Sequence, residues 1–319
     1  MPNPLTTFLL KQTLGSLVLM AAITGVAHAD TREVETAYGS VSIDGTPERV
    51  VTLYEGALDA AIATGIDPVG AVITRGGNDV AEYIQPKAKG IGIVGAPGET
   101  NIESVIALNP DLILASAQLS KEQYNLLSKI APTIVPDFTA FTPRTWKQET
   151  RLFAQALGRA DAGEEAVTRV EDKAAEVAKL VESTLDADQR ETGLIRWMPQ
   201  GPLVMSEGLF SASLLQAAGF NVNSANIVKD GRPHSHPLSQ ENLGLIDHPW
   251  IFLATLNEDG DEALKAARKS PAFQRLKANK EGQIIIVNGQ LWTSASGPLA
   301  ALKILDDIAN AVNNFATTH

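Results

Sequence analysis

The chain has 319 residues, of which 44% are hydrophobic and 20% are charged, and its formal net charge is −11. This length exceeds what one hydrophobic core usually covers, and the apolar content can fill two cores, so two domains are expected. The negative charge argues against nucleic acid or an anionic membrane surface as a partner.

Residues 1–29 have the composition of a secretory signal peptide. One charge, Lys11, precedes an apolar run at residues 14–26 and a small-residue site at residues 27–29, so cleavage is expected before Asp30. The run is shorter than the roughly 20 residues that span a bilayer, which leaves a retained anchor as the less favoured alternative. The sequence has no cysteine, which excludes disulfides and a lipid-modified thiol. We expect an exported, periplasmic protein without stable membrane insertion.

The first half of the mature chain, residues 30–158, alternates predicted strands with predicted helices. A hairpin is expected around Gly39, and each later apolar run is short and bounded by glycine or proline. Strands are predicted at 49–53, 69–73, 112–115 and 133–135, and helices at 57–64, 102–108, 121–130 and 146–157. Such alternation predicts a parallel sheet covered by helices, here forming an N-terminal lobe.

Residues 161–184 read as one long helix between the two halves. Asp161 is expected to cap this helix, Glu164 completes a capping-box-like start, and valines and alanines recur at steps of three to four residues. Such a helix is on the order of 30 Å long. We expect residues 159–186 to form a rigid strut between two lobes that hold a ligand between them. A surface helix packed on a single core is the alternative.

The second half, residues 187–319, shows the same alternation of predicted strands and helices as the first half. It predicts a C-terminal lobe. Strands are predicted at 193–198, 203–205, 251–256 and 284–287, and helices at 212–218, 241–246, 263–278 and 298–315. The predicted fold class is therefore α/β, with two lobes that each contain a mainly parallel sheet flanked by helices.

One segment is repeated without a gap in the two halves. NIESVIALNPDLILAS begins at Asn101 and SQENLGLIDHPWIFLA begins at Ser239, and each has a glutamate two positions after its first residue. Glu103 and Glu241 therefore occupy matching places in the two lobes. A simple alternative is that each carboxylate gains about 0.3–1 kcal/mol from the dipole of the helix that follows.

Several common functional motifs are absent or lie in the wrong context. The glycines of GIGIVG, residues 90–95, lie in an apolar strand-like run rather than at the start of a helix, which argues against dinucleotide binding. The sequence contains neither a P-loop lysine motif nor a G-x-S-x-G elbow. His234 and His236 leave a direct zinc site open as an alternative. The four tyrosines are scattered, which argues against direct capture of bare ferric ion.

Five regions in register along the mature chain resemble periplasmic iron-siderophore binding proteins of ABC importers. These regions are PERVVTLYEGALDAAIATGIDPVG from Pro47, NIESVIALNPDLILAS, SEGLFSASLLQAAGFN from Ser206, PLSQENL from Pro237, and the final NGQLW with GPLAALKILDDI. The resemblance implies two α/β lobes joined by a backbone helix, with a shallow cleft between them. It also implies that Glu103 and Glu241 dock onto arginines of two permease subunits.

The residues expected to line this cleft follow from the rule that open parallel sheets bind ligands at the carboxyl ends of their strands. Arginines suit a ferric chelate with carboxylate, catecholate or hydroxamate oxygens, and tryptophans supply flat walls. Surface salt bridges for the arginines and core packing for the tryptophans are the competing accounts. The expected set is Tyr54, Glu55, Arg75, Arg196, Trp197, Arg232, His234, His236 and Trp292.

The resemblance implies a monomeric periplasmic receptor for a ferric siderophore or a ferric hydroxycarboxylate chelate, which passes its ligand to an inner-membrane ABC permease. It implies no catalytic residue and no cofactor, and the chelator rather than the protein holds the iron. Haem remains an alternative because Tyr54 or His234 could supply an axial ligand. Cobalamin is disfavoured because GAPGETN, residues 95–101, lacks the aromatic residue of cobalamin binders. A siderophore-modifying enzyme is the rival class.

Overall fold

The computed structural model describes residues 31–138 and 145–318, which form two lobes joined by one long helix. The predicted signal peptide, residues 1–29, lies outside the described residues. Within them, no helix has both the length and the apolar character needed to cross a membrane.

The N-terminal lobe is built on a five-stranded sheet of order β5-β4-β3-β8-β9, in which every pairing is parallel. Two antiparallel hairpins, β1-β2 and β6-β7, accompany this sheet. The strands are β1 Arg32–Thr36, β2 Gly39–Ile43, β3 Val50–Thr52, β4 Gly70–Ala71, β5 Gly92–Ile93, β6 Gly95–Ala96, β7 Glu99–Thr100, β8 Leu112–Leu114 and β9 Thr133–Ile134.

Helices cover both faces of the N-terminal sheet, because its strands are apolar on both sides. Val50 and Leu112 pack with one set of buried residues, whereas Val51 and Ile113 pack with another on the opposite face. The helices are α1 Glu55–Ala63, α2 Ile102–Ala107, α3 Lys121–Leu127 and α4 Thr145–Ala156, with a 3₁₀ turn at Gln85–Lys87.

Helix α5, Ala160–Thr184, is the predicted long helix, and its buried side carries the predicted valine and alanine positions. The prediction that Asp161 caps this helix is wrong. The N–H of Arg159 donates to the Ala154 carbonyl (2.7 Å) and closes α4, so α5 begins one residue before Asp161. Glu164 instead forms two hydrogen bonds to the Arg151 guanidinium, at 2.6 and 2.9 Å, which tie α5 to α4.

The C-terminal lobe is built on a sheet of order β11-β10-β13-β14, with β12 also paired to β10. β11 is antiparallel to β10, and the other pairings are parallel. The strands are β10 Glu191–Met198, β11 Gly201–Val204, β12 Asn221–Val222, β13 Trp250–Thr255 and β14 Ile284–Asn288. The helices are α6 Phe210–Ala217, α7 Glu258–Ala267, α8 Pro271–Arg275, α9 Lys277–Lys280, α10 Gly289–Thr293 and α11 Pro298–Thr318, with 3₁₀ turns at Ala187–Gln189 and Gln240–Ile246.

Two predicted helices of the C-terminal lobe differ from the structure. The segment 263–278 is not one helix, because Ser270 accepts a hydrogen bond from the Phe273 N–H (3.2 Å) and, with Pro271, starts the new helix α8. The segment 241–246 forms a 3₁₀ turn instead of an α-helix, and the Ser239 side chain does not cap it.

A buried aspartate joins the two lobes independently of α5. Asp59 of α1 accepts hydrogen bonds from the N–H groups of Leu299 and Ala300 at the start of α11, both at 2.8 Å. The Tyr83 hydroxyl donates to the same carboxyl (2.9 Å). Gly297 has a φ of +113°, and a Cβ there would lie 2.5 Å from Asp59 Oδ1. Burial raises the pKa of Asp59 to about 7 despite these donors.

Candidate functional site: the interlobe cleft

A cleft of about 480 Å³ lies between the two lobes. Loops that follow the parallel strands β3, β4, β8 and β14 line it, as expected for ligand sites of open parallel sheets. The structure brings together six of the nine predicted side chains here, namely Tyr54, Glu55, Arg75, Arg196, His234 and Trp292.

Arg196 is a buried cation on the C-terminal wall of the cleft. It lies on β10 and is 8% exposed, and its Nε atom has no hydrogen-bond partner among the described residues. Burial, and then the nearby charge of Arg75, lower the pKa of Arg196. A guanidinium stays protonated through such shifts, so two positive charges lie near each other at the cleft, with the Glu55 carboxyl beside Arg75. This arrangement favours an anionic ligand.

The Arg75 loop is held in place by Glu55, the residue that begins α1. The Arg75 N–H donates to Glu55 Oε1 (3.1 Å), and the loop closes with a bond from the Thr74 N–H to the Asp79 carbonyl (2.8 Å). Gly76 has a φ of +77° and packs closely on Leu256 of the opposite lobe. Burial raises the pKa of Glu55. Glu55 therefore positions Arg75 on the cleft wall.

Tyr54 lies directly after β3, with its ring folded over Gly56. A Cβ at Gly56 would lie 2.6 Å from the ring atom Cε1, so only glycine permits this position of the phenol. Burial, and then the carboxyl of Glu149, raise the pKa of Tyr54. The phenol is thus neutral at physiological pH and can both donate and accept a hydrogen bond.

Helix α4 adds three cleft residues that were not predicted from the sequence, namely Thr145, Trp146 and Glu149. Trp146 packs edge-on against Phe210 of α6, with ring centroids 6.0 Å apart, and so connects the lobes at the cleft wall. Burial raises the pKa of Glu149 to about 7. The sequence carried a signal for this pair, because residues three apart lie on the same side of a helix and Glu149 follows Trp146 by three.

Three predicted residues do not line the cleft. Trp197 follows Arg196 on β10 and points to the opposite face, where it packs on Phe273 with ring centroids 5.7 Å apart. Arg232 and His236 are exposed in the loop on either side of the cleft residue His234. We therefore leave Trp197, Arg232 and His236 out of the proposed site.

His234 and Trp292 line the cleft with little freedom to move. The His234 ring is half-buried, with Nδ1 2.7 Å from the Ser235 carbonyl oxygen. Trp292 is 1% exposed, stacks on Phe252 at 5.0 Å, and donates from Nε1 to Asp307 Oδ2 (2.9 Å). Core packing thus fixes Trp292, and the ring forms part of the cleft floor. In residues 31–138 and 145–318 no three His, Asp or Glu side chains are grouped to hold a metal ion.

The two repeated glutamates are exposed at the starts of short helical segments. Glu103 lies in the first turn of α2, which Asn101 caps by accepting from the Ser104 N–H (3.0 Å). Glu241 lies in the first turn of the 3₁₀ segment Gln240–Ile246. Each follows a cleft-lining residue within seven positions, Thr100 in one lobe and His234 in the other. Neither Glu103 nor Glu241 lines the cleft.

Comparison with known proteins identifies the class to which this fold and cleft belong. Residues 50–291 match the family described as periplasmic binding protein, and the chain belongs to that family. The probable siderophore-binding lipoprotein YfiY of Bacillus subtilis (strain 168) is 30% identical over 89% of this chain and 88% of its own length. The Fe(3+)-citrate-binding protein YfmC of the same organism is 27% identical over 89% and 87%, respectively.

A solved structure extends the similarity to three dimensions. The crystal structure of Staphylococcus aureus SirA complexed with staphyloferrin B superposes with a TM-score of 0.76 at 29% sequence identity. The match covers 89% of this chain and 99% of SirA. The predicted α/β fold, with two lobes of mainly parallel sheet joined by a long helix, is confirmed. The resemblance to iron-siderophore binding proteins is also confirmed.

Proposed function

We propose that this protein is a periplasmic receptor that captures a ferric siderophore or ferric hydroxycarboxylate chelate in the interlobe cleft. The observation that carries the proposal is Arg196, a buried guanidinium near the charge of Arg75 whose Nε has no hydrogen-bond partner in the described part of the chain. An anionic chelate supplies the missing acceptors and offsets the repulsion between the two cations. The similarity to YfiY, YfmC and SirA supports a ferric ligand of this class.

The chelate, and not the protein, holds the iron in this proposal. The cleft offers guanidinium, phenol and indole groups, which recognise the outer oxygens and the apolar faces of a chelate. Each charge-assisted hydrogen bond from an arginine contributes about 1.5–3 kcal/mol. One such bond from each of the two arginines contributes about 3–6 kcal/mol together, to which the contacts with the phenol and indole groups add. The protein performs no chemistry on the ligand, in line with relatives that are binding proteins.

Delivery completes the proposed function. The exported monomer, released from its signal peptide before Asp30, carries the chelate to an inner-membrane ABC permease powered by a separate ATPase. Glu103 and Glu241, one exposed carboxylate on each lobe, meet arginines on the two permease subunits. Such rim charges set the orientation and the rate of association more than the affinity.

The test is a fluorescence titration of the iron-free mature protein. Trp146 and Trp292 line the cleft, so ferric citrate is expected to quench the tryptophan emission in a saturable manner. Iron-free citrate and zinc chloride are the controls and are expected to leave the emission unchanged. A response to zinc alone would contradict the proposal and indicate metal-ion import. Recovery of chemically altered chelate after prolonged incubation would indicate an enzyme.

A further inference from the structure

Two exposed apolar side chains follow the two repeated glutamates. Ile106 of α2 is 55% exposed and lies three residues after Glu103, and Leu245 is 43% exposed and lies four residues after Glu241. Single exposed apolar residues are common on proteins, but these two occur in the same repeated segment, one in each lobe. Within residues 31–138 and 145–318, the other large hydrophobic residues that are similarly exposed are Ile93, Leu126 and Ile286.

In the N-terminal lobe, helix α2 places Glu103 and Ile106 next to each other. Residues three apart on an α-helix are neighbours on its surface, with Cβ atoms about 5–6 Å apart. Arg49 Nε donates to the carbonyl oxygens of Leu108 and Asn109, each at 3.0 Å, and so fixes the chain at the end of α2. Ile106 belongs to none of the hydrophobic clusters of the described residues, so the packing of this lobe does not account for it.

In the C-terminal lobe, the 3₁₀ segment Gln240–Ile246 carries Glu241 and Leu245. Four residues of a 3₁₀ helix advance about 8 Å along its axis, so both side chains start from one small area of the surface. Leu243 and Ile246 of the same segment point into the core and are 1% and 0% exposed, respectively. These two residues hold the segment on the lobe, and Leu245 is left in contact with solvent.

Both surfaces are free of lysine and arginine. Neither residue type occurs in the sequence between 90 and 120 or between 233 and 264. Within the part of the chain that the structure describes, Glu103 and Glu241 form no ion pair. A carboxylate beside an exposed apolar side chain is complementary to a site that combines a cation with an apolar pocket. Because the arrangement occurs once in each lobe, the partner it fits presents two such sites.

We propose that Ile106 and Leu245 are apolar anchors of the docking surface, each of which enters an apolar pocket beside the cation of one of two similar permease subunits. This inference rests on the proposed delivery of the chelate to a permease. Exposed ion pairs contribute little to affinity, because water and salt screen them. Burial of an isoleucine or leucine side chain contributes more, because it removes apolar surface from water. The glutamates therefore orient the loaded protein, and the two anchors hold it.

The test measures iron uptake by spheroplasts prepared from cells that lack this protein. Purified mature protein loaded with radioactive ferric citrate is added, and the protein concentration that gives half-maximal uptake reports the affinity for the permease. We expect the double variant Ile106→Ser, Leu245→Ser to raise this concentration by about tenfold or more, and each single variant to raise it by at least about threefold. The affinity for ferric citrate is expected to stay unchanged, because neither residue lines the cleft. Tryptophan quenching measures this affinity and verifies that the variants are folded.

The matched control is Leu126→Ser, Ile286→Ser, which changes one exposed apolar residue in each lobe outside the repeated segments. We expect this control to change the half-maximal concentration by less than about twofold. Salt separates an apolar contact from a charged one. The ratio between Ile106→Ser, Leu245→Ser and the wild type is expected to stay constant from about 0.05 to about 0.3 M salt, because only the charged contact is screened.

Three results would overturn the apolar anchors while the proposed function stands. These are wild-type uptake by Ile106→Ser, Leu245→Ser, an equal loss in the control variant, and a ratio that falls to one at high salt. Failure of the wild-type protein to bind ferric citrate would overturn the proposed function. Binding of ferric citrate without any uptake would overturn the proposed delivery to a permease, and this inference with it.

Discussion

At the scale of single residues, Arg196 is the side chain on which the proposed site depends most. A guanidinium that is 8% exposed, and whose Nε has no acceptor within residues 31–138 and 145–318, is unfavourable in the ligand-free protein. The nearby positive charge of Arg75 makes the buried charge of Arg196 still less favourable. Such perturbed charged groups in a cleft are typical of functional sites, because a bound ligand can supply the hydrogen-bond acceptors and the opposite charge.

Replacement of Arg196 by glutamine tests this role. We expect Arg196→Gln to weaken the binding of ferric citrate by about tenfold to a hundredfold, since it removes charge-assisted hydrogen bonds worth about 1.5–3 kcal/mol. Arg232→Gln is the matched control, because Arg232 is exposed and does not line the cleft. Fluorescence titration measures both. Equal losses in the two variants, or none in Arg196→Gln, would remove Arg196 from the site.

The half-buried Glu149 makes stability depend on pH. Burial raises its pKa from 4.5 to about 7, so the folded protein prefers the protonated form. The associated stability is complete below pH 4.5 and is lost as the pH rises to 7, by about 3 kcal/mol. Glu149→Gln cannot ionise. We therefore expect its free energy of unfolding to exceed that of the wild type by about 3 kcal/mol at pH 8, and to match it near pH 4.5.

Urea denaturation of the ligand-free proteins at several pH values measures this difference. Asp59, whose pKa burial also raises to about 7, is present in both proteins, so its contribution cancels. A difference between wild type and Glu149→Gln that stays constant from pH 4.5 to pH 8 would show that Glu149 is solvated in the folded protein.

At the scale of elements, the sequence predicted most strands and helices because their apolar patterns are local. The valines of α5 repeat at helical spacing, and β3, β8 and β13 are short apolar runs with clear boundaries. The prediction of one helix at 263–278 was wrong because a serine followed by a proline starts a new helix inside an otherwise amphipathic pattern. The two-residue strands β5, β6, β7 and β12 were not predicted, whereas β4 and β9, which are equally short, lie inside the predicted apolar runs 69–73 and 133–135.

Site residues that directly follow a strand could be predicted from the sequence. Site residues whose position depends on which face of a strand they occupy, or on how helices pack between the lobes, could not. Arg196 and Trp197 both lie near the end of β10, but this strand is buried on both faces, so the sequence does not tell which residue faces the cleft. Glu149 lies on a helix rather than after a strand. Its place in the cleft follows from how α4 packs against the second lobe, which no local pattern encodes.

At the scale of the whole molecule, the two lobes are connected by more than the chain itself. Asp59 of α1 binds the first N–H groups of α11, and Glu82 Oε2 accepts from Asn288 Nδ2 (3.1 Å) across the same junction. Charge at a helix start adds favourable dipole interaction to the hydrogen bonds. These contacts restrain hinge motion near the cleft floor. Glu103 and Glu241 each place one exposed carboxylate on one of these two connected lobes.

The proposed docking role of Glu103 and Glu241 leads to a prediction for transport. We expect the double variant Glu103→Arg, Glu241→Arg to bind ferric citrate with wild-type affinity, because neither side chain lines the cleft. Under the proposed docking, uptake of radioactive iron by cells that rely on this protein is expected to be abolished, since two positive charges would then face the arginines proposed on the permease. If the carboxylates only stabilise helix starts, the double variant loses about 0.3–1 kcal/mol per site and still supports uptake.

The matched control is Asp161→Arg, Glu165→Arg, which reverses two exposed acidic residues at the start of α5 and changes the net charge by the same amount. It separates a specific docking contact from a general effect of charge, because both double variants carry the same excess of positive charge. Loss of uptake in both would indicate that net charge alone governs the encounter with the permease. Loss in the Glu103, Glu241 variant alone would show that one carboxylate on each lobe orients the loaded receptor.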